Sequence, residues 1–115
     1  NDDSKSVRGS KIMILGVAYK KDIDDMRESP ALEIRKLLKF KGASISYHDP
    51  YVANIESEKS LELNIKNIER QDAILITTDH SDVDYDLIGK YAKLVIDTRN
   101  VMVNLKKPNA RILRA

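Results

Sequence analysis

The residues of this chain whose types could do chemistry fall in three short stretches. Tyr19, Lys20, Lys21 and Arg27 lie in one of them, interleaved with Asp22, Asp24, Asp25 and Glu28. Thr77-Thr78-Asp79-His80 makes a second, to which His48-Asp49 can be added from elsewhere in the chain. Asp97-Thr98-Arg99-Asn100 is the third. Lysine and arginine hold phosphate and carboxylate groups by charge-assisted hydrogen bonds, and arginine can do so with two parallel N–H donors. Two histidines with two aspartates are the residue types of a metal site, but their spacing matches no metal motif. His80 could act as a general base, yet no partner for it is evident. With no cysteine, the chain has no disulfide framework, thiolate metal site or catalytic thiol of its own.

Each stretch also has a plainer reading. The lysines could pair with their neighbouring acids on a solvated loop, where such pairs contribute little. Arg99 could pair with Asp97 or another nearby acid. His80 reads as a strand-end histidine satisfied by a local hydrogen bond. Asp49 stands where a dinucleotide fold keeps its ribose-binding acid, but Asp-Pro commonly opens a turn, and that is the reading taken.

The elements that would position these residues alternate. Lys11–Gly16 (KIMILG) is a buried-strand pattern. Ser29-Pro30 opens a helix, with Ser as N-cap and Pro in the first turn. Ile34, Leu37, Leu38 and Lys41 recur at helical spacing, with Arg35, Lys36 and Lys39 toward water. Gly42 suits a left-handed C-cap. Ala43–His48 is a second strand, stopped by Asp49-Pro50. Residues 51–65 are ambiguous, with a short strand conceivable over Leu61–Ile65. Lys66–Gln71 reads as a short helix, Ala73–Thr77 as the most apolar strand, and Asp86–Ala92 as a helix. Leu94–Asp97 is the next strand and Ala110–Leu113 a last one. Nothing repeats.

Strands alternating with helices imply right-handed βαβ units: an α/β fold, Rossmann-like and doubly wound, with a mainly parallel sheet and helices on both faces. Such sheets bind ligands beyond the carboxyl ends of their strands, where the strand order reverses. That edge comprises Gly16–Lys21, His48–Tyr51, Thr77–His80 and Asp97–Asn100, so all three stretches meet there. A dinucleotide loop would carry G-x-G-x-x-G; only Gly16 is present, and the strand-to-helix segment is too long for that tight turn. The 115 residues suit one domain, over 11–115, with polar residues 1–10 as a linker. Charged residues make up 33 % of the chain, yet the net charge is only +2, which argues against a nucleic-acid binder. No apolar run approaches the ~20 residues of a membrane helix, and the N-terminus has no signal-peptide pattern. The expected setting is cytoplasmic, without membrane or nucleic-acid partners.

GVAYKKDIDDMRESPALEI, YHDPYV, DAILITTDH and LVIDTRN, in this order over about Ser6–Asn100, resemble the C-terminal domain of the UDP-glucose/GDP-mannose dehydrogenases. The wording of the first motif is most similar to the UDP-N-acetylglucosamine and UDP-N-acetylmannosamine branch. The resemblance implies a nucleotide-sugar-binding domain of an NAD-dependent enzyme that makes polysaccharide precursors. Such enzymes oxidise the sugar C6 alcohol to a carboxylate in two steps, through a thioester on a cysteine that would lie outside this chain. It implies further partners: an N-terminal domain that binds most of the NAD, a central helical region continuing into residues 1–10, and a homodimer of the whole enzyme. By motif, Tyr19, Lys20 and Arg99 would contact the UDP-sugar and Arg27 would reach NAD. No catalytic residue and no metal ligand is implied here, and the chain alone would be inactive. The alternative is a stand-alone nucleotide-binding or regulatory module of the same fold.

Overall fold

The computed structural model describes residues 7–18, 20–22, 25–27, 29–105 and 108–114. The expected βαβ order is present. Strands β1 (Lys11–Leu15), β2 (Ser44–His48), β5 (Ala73–Ile76), β6 (Leu94–Asp97) and β7 (Arg111–Arg114) form one sheet in the order β2-β1-β5-β6-β7. Every pairing is parallel. The first crossover, through helix α1 (Pro30–Phe40), carries the chain to one side of β1, and the second carries it to the other. Strand order therefore reverses between β1 and β5.

Register divides the sheet residues between two faces. Met13, Leu15, Ile74, Ile76 and Val95 point to one, where Ile68 of α2 (Ile65–Glu69) and Ile88 of α3 (Tyr85–Tyr91) complete a closed core. Ile14 faces the opposite way and is buried with Val17, Ala18, Ala31, Tyr47 and Ile55 beneath α1 and the β3–β4 hairpin (Asn54–Ile55, Glu58–Lys59). Fully burying an aliphatic side chain contributes roughly 1.5–3 kcal/mol, so the sheet centre supplies most of the cohesion. On this second face Leu94 and Ile96 are only half-buried and Leu113 is exposed.

Local chemistry explains the element ends. The Ser29 hydroxyl accepts from the Ala31 N–H, and Pro30 stands where no helical N–H partner exists. At the other end Gly42 takes φ 94° while the Gly42 and Ala43 amides donate to Lys39 O and Leu38 O, a left-handed cap. Asn64 and Asp84 cap α2 and α3 by accepting from Asn67 and Leu87. These placements agree with the sequence to within a residue or two.

Two expectations are corrected. Residues 51–65 contain no strand at Leu61–Ile65. The chain first folds back as the β3–β4 hairpin, with Glu56 in the left-handed region. Leu61 then meets the end of β2 through two bonds: its N–H donates to Tyr47 O, and its carbonyl accepts from His48 Nδ1. Arg35 is also not on the wet side of α1. It is 7 % exposed and donates to Glu58 of the hairpin through Nε (3.2 Å) and Nη2, while Leu37 and Phe40 are exposed. The helix turns Ala31 and Arg35, one turn apart, toward the sheet, because the hairpin brings a carboxylate to receive the guanidinium.

That pair gives the first prediction. Glu58→Ala strands the buried guanidinium and should lower unfolding free energy by about 1–2 kcal/mol, whereas Arg35→Met should cost under about 1 kcal/mol. Urea denaturation of both variants checks this; equal losses would contradict it.

Candidate functional site

The crevice edge is built around the exit of β1. Gly16 takes φ 87°, and a Cβ on it would lie 2.6 Å from both Cβ and the carbonyl oxygen of Thr78, so only glycine fits. The Gly16 N–H donates to His48 O. The next two amides, of Val17 and Ala18, both donate to Asp49 Oδ2, at 2.8 and 3.2 Å. From the β5 side, the Thr77 hydroxyl donates to Gly16 O and the Thr78 hydroxyl to Ala18 O. The exits of β1, β2 and β5 are thus laced into one rigid edge.

Arg99 arrives from β6. Asp97, almost wholly buried, accepts from the amides of Arg99 and Val101 through Oδ1 and of Met102 through Oδ2. Backbone takes both carboxylate oxygens, so the expected alternative of an Arg99–Asp97 ion pair gives way to a turn. The Arg99 Nε instead donates to Thr77 O at 3.0 Å, which leans the side chain across the end of β5. There Lys20, Lys21, Asp79 and Arg99 line an open depression of about 440 Å³. Three cations against one carboxylate suit a ligand with clustered negative charge.

Of the residues singled out from sequence, Lys20 and Arg99 are therefore brought together. Tyr19 lies outside the described residues. Arg27 is elsewhere: it does not line the depression, and its guanidinium is held by Asp25 through Nε (3.0 Å) and Nη2 (2.9 Å) while remaining 88 % exposed. The same fork holds the Asp25 carboxyl down at about 2. Lys21 and Asp79 belong to the depression although sequence gave them no role.

His80 and Asp49 were readable only in part. Asp49 does open a turn, its Oδ1 accepting from the Tyr51 amide, but its Oδ2 is consumed by Val17, Ala18 and His80, so it is not a ribose ligand. His80 is satisfied, as expected, but by distant partners rather than local ones. It has no exposure, its Nε2 lies 2.9 Å from Asp49 Oδ2, and its Nδ1 accepts from the Asp22 N–H at 2.7 Å. No ring nitrogen is left to serve as a general base. The only sequence signal was a polar cluster after an apolar strand, and the partners lie 31 and 58 residues away.

Asp22 has φ 63°, and its carboxylate accepts from the Ser81 N–H and hydroxyl. Those bonds, the backbone one first, hold its carboxyl below the usual carboxylate range. Tyr51 packs tilted on the His80 ring at 4.9 Å, and its hydroxyl donates to Asp82, which raises it to about 12. Among the described residues no group of three or more His, Asp or Glu side chains could hold a metal. The β1 turn does not fit a dinucleotide pyrophosphate either, since Thr78 occupies the space beside Gly16.

An open parallel α/β sheet with a cationic depression at its switch point is the architecture of a domain suited to anionic, nucleotide-like ligands. A family model described as the UDP-glucose/GDP-mannose dehydrogenase family, UDP binding domain, matches residues 13–104, and the chain belongs to this family. It is 40 % identical over 96 residues to the UDP-N-acetyl-D-mannosamine dehydrogenase of Pyrococcus horikoshii, a match covering 79 % of this chain and 22 % of that one. It is 36 % identical over 110 residues to the UDP-glucose 6-dehydrogenase of Rickettsia bellii, covering 85 % and 25 %. The solved structure of a UDP-D-ManNAc dehydrogenase from Pyrococcus horikoshii superposes with a TM-score of 0.75 at 31 % identity, over 98 % of this chain and 27 % of that one. The chain spans about a quarter of the length of these relatives.

Two predictions follow from the geometry. Gly16→Ala combines left-handed strain with a backbone clash and should destabilise by at least about 2 kcal/mol, measured by thermal or urea unfolding. Ser81→Ala removes one bond to the Asp22 carboxylate, so the Asp22 carboxyl should titrate higher. Asp22 contributes stability above its unfolded value of about 3.8 and loses it as pH falls through its lower folded value. Carboxyl-carbon NMR titration reads the shift; a downward or absent move would refute the assignment.

Proposed function

We propose that this chain is the nucleotide-sugar-binding domain of an NAD-dependent UDP-sugar 6-dehydrogenase, acting on a UDP-N-acetylhexosamine to give the uronic acid. The observation that carries the reading is the convergence of Lys20 and Arg99 on one depression in a member of this family. Lys20 provides a point charge and Arg99 a planar fork, and together they neutralise the diphosphate and orient the sugar away from the sheet edge. Tyr19, next to Lys20, joins the substrate contact. Arg27 takes the cofactor side, exchanging the Asp25 carboxylate for an NAD phosphate presented by another part of the enzyme. Residues 1–10 lead in from the central region, the whole enzyme is a cytoplasmic homodimer supplying polysaccharide precursors, and this part alone does not turn over substrate. The match to a UDP-N-acetyl-D-mannosamine dehydrogenase supports the substrate branch.

The chain's part in the chemistry is binding and orientation. No catalytic step is assigned to its residues, which lack a thiol and a dinucleotide loop. In the full-length protein, Lys20→Ala and Arg99→Ala should each raise the UDP Kd by about 10–100-fold, the cost of a lost charge-assisted contact. Arg99→Lys should recover little, because the fork geometry is lost. Calorimetric titration with UDP tests this; unchanged affinity in both alanine variants would refute the reading. Turnover across a panel of UDP- and GDP-sugars tests the substrate class.

A further inference from the structure

His80 and Asp49 are both wholly buried at the side chain, and neither touches the depression; yet between them they grip the segment that carries Lys20 at both of its ends. On the near side, Asp49 Oδ2 takes the amides of Val17 and Ala18. On the far side, His80 Nδ1 takes the amide of Asp22, which is in the left-handed region. The two jaws are joined, because His80 Nε2 meets the same Asp49 oxygen at 2.9 Å. A nitrogen that accepts an N–H carries no proton, so the ring must be the neutral Nε2–H tautomer, donating to Asp49. Either other form would set a ring N–H against the Asp22 N–H. Tyr51 packs on the face of the ring, and the Tyr85 hydroxyl holds the backbone of His80 by donating to its carbonyl oxygen. The Asp22 carboxylate is tied separately to Ser81.

We propose that His80 is a positioning residue: as the Nε2–H tautomer it clamps the Asp22 amide, and with Asp49 it sets the loop that presents Lys20 and Lys21 to a diphosphate. Three backbone amides, Val17, Ala18 and Asp22, bracket the two lysines and are committed to one buried His–Asp pair. A buried histidine serving only to fill space would need neither the fixed tautomer nor the acceptor aimed at a left-handed aspartate. The ligand half of the proposal rests on the reading that Lys20 binds the diphosphate.

Two substitutions separate the roles of the ring nitrogens. Asparagine places a carbonyl oxygen near the Nδ1 position and falls short of Asp49. Glutamine reaches Asp49 and leaves nothing at Nδ1, although its volume is closer to that of histidine. On the full-length protein we expect ring-nitrogen NMR shifts of the Nε2–H tautomer in the wild type. Amide exchange at Asp22 should quicken about tenfold or more in His80→Ala and His80→Gln, and the UDP Kd should rise about tenfold in both. His80→Asn should hold both within about threefold, with thermal unfolding of each variant recorded alongside. Glutamine outperforming asparagine would identify a packing role and overturn the proposal. So would Asp22 exchange and UDP affinity unchanged in His80→Ala while Lys20→Ala loses UDP, an outcome that leaves the lysine reading standing. UDP affinity unchanged in Lys20→Ala would sink that reading instead, and with it the ligand half of the clamp.

Discussion

The Asp49 carboxylate is the constraint on which the ligand edge depends. It is 2 % exposed, and its oxygens receive the Val17, Ala18 and Tyr51 amides and the His80 ring. A buried carboxylate is tolerable only when its lone pairs are filled by donors, and here the four donors come from three different pieces of the edge. Val17 and Ala18 follow β1, Tyr51 follows β2 and His80 follows β5. One charge replaces the hydrogen bonds that three strands lose when their ladders stop. That is why strand exits with no regular structure of their own can still present side chains in a fixed arrangement.

The two faces of the sheet serve that edge differently. The α2–α3 face is a closed apolar layer and fixes β1, β5 and β6 relative to one another. The α1 face includes a charged contact, Arg35 with Glu58, which ties the hairpin after β2 to the helix after β1. Both segments leave the ligand edge and return to the body of the domain, so this contact braces the loop system from behind. Gly16 completes the arrangement by letting β1 and β5 exits approach more closely than any side chain would permit.

Much of the fold was legible because its signals are local. Apolar runs at Ile12–Leu15 and Ala73–Ile76, the Ser29-Pro30 cap and Gly42 each carry their meaning within a few residues. The order β2-β1-β5 then follows from right-handed crossovers, and it brings Lys20 and Arg99 to the same edge. What escaped was long-range. The burial of Arg35 depends on a carboxylate 23 residues away, and the partners of His80 depend on two loops joined only in the folded chain. The hairpin at 54–59 was hidden because its strands are two residues each, too short for any period to show. Asp22, needing a left-handed φ and holding Ser81, looked in sequence like one more acid in a charged loop.

The strand order also has a temporal side. β6 pairs with β5, and β7 with β6, within about twenty residues of chain, whereas Ile12 of β1 must wait for Ala73. At a synthesis rate of about 5–20 residues per second, β1 spends several seconds without one of its two neighbours. Closing the longest loop is also the entropically slowest of these pairings. The β1–β5 junction is the one that carries the crevice, so the depression stands on the strand pairing that spans the greatest length of chain.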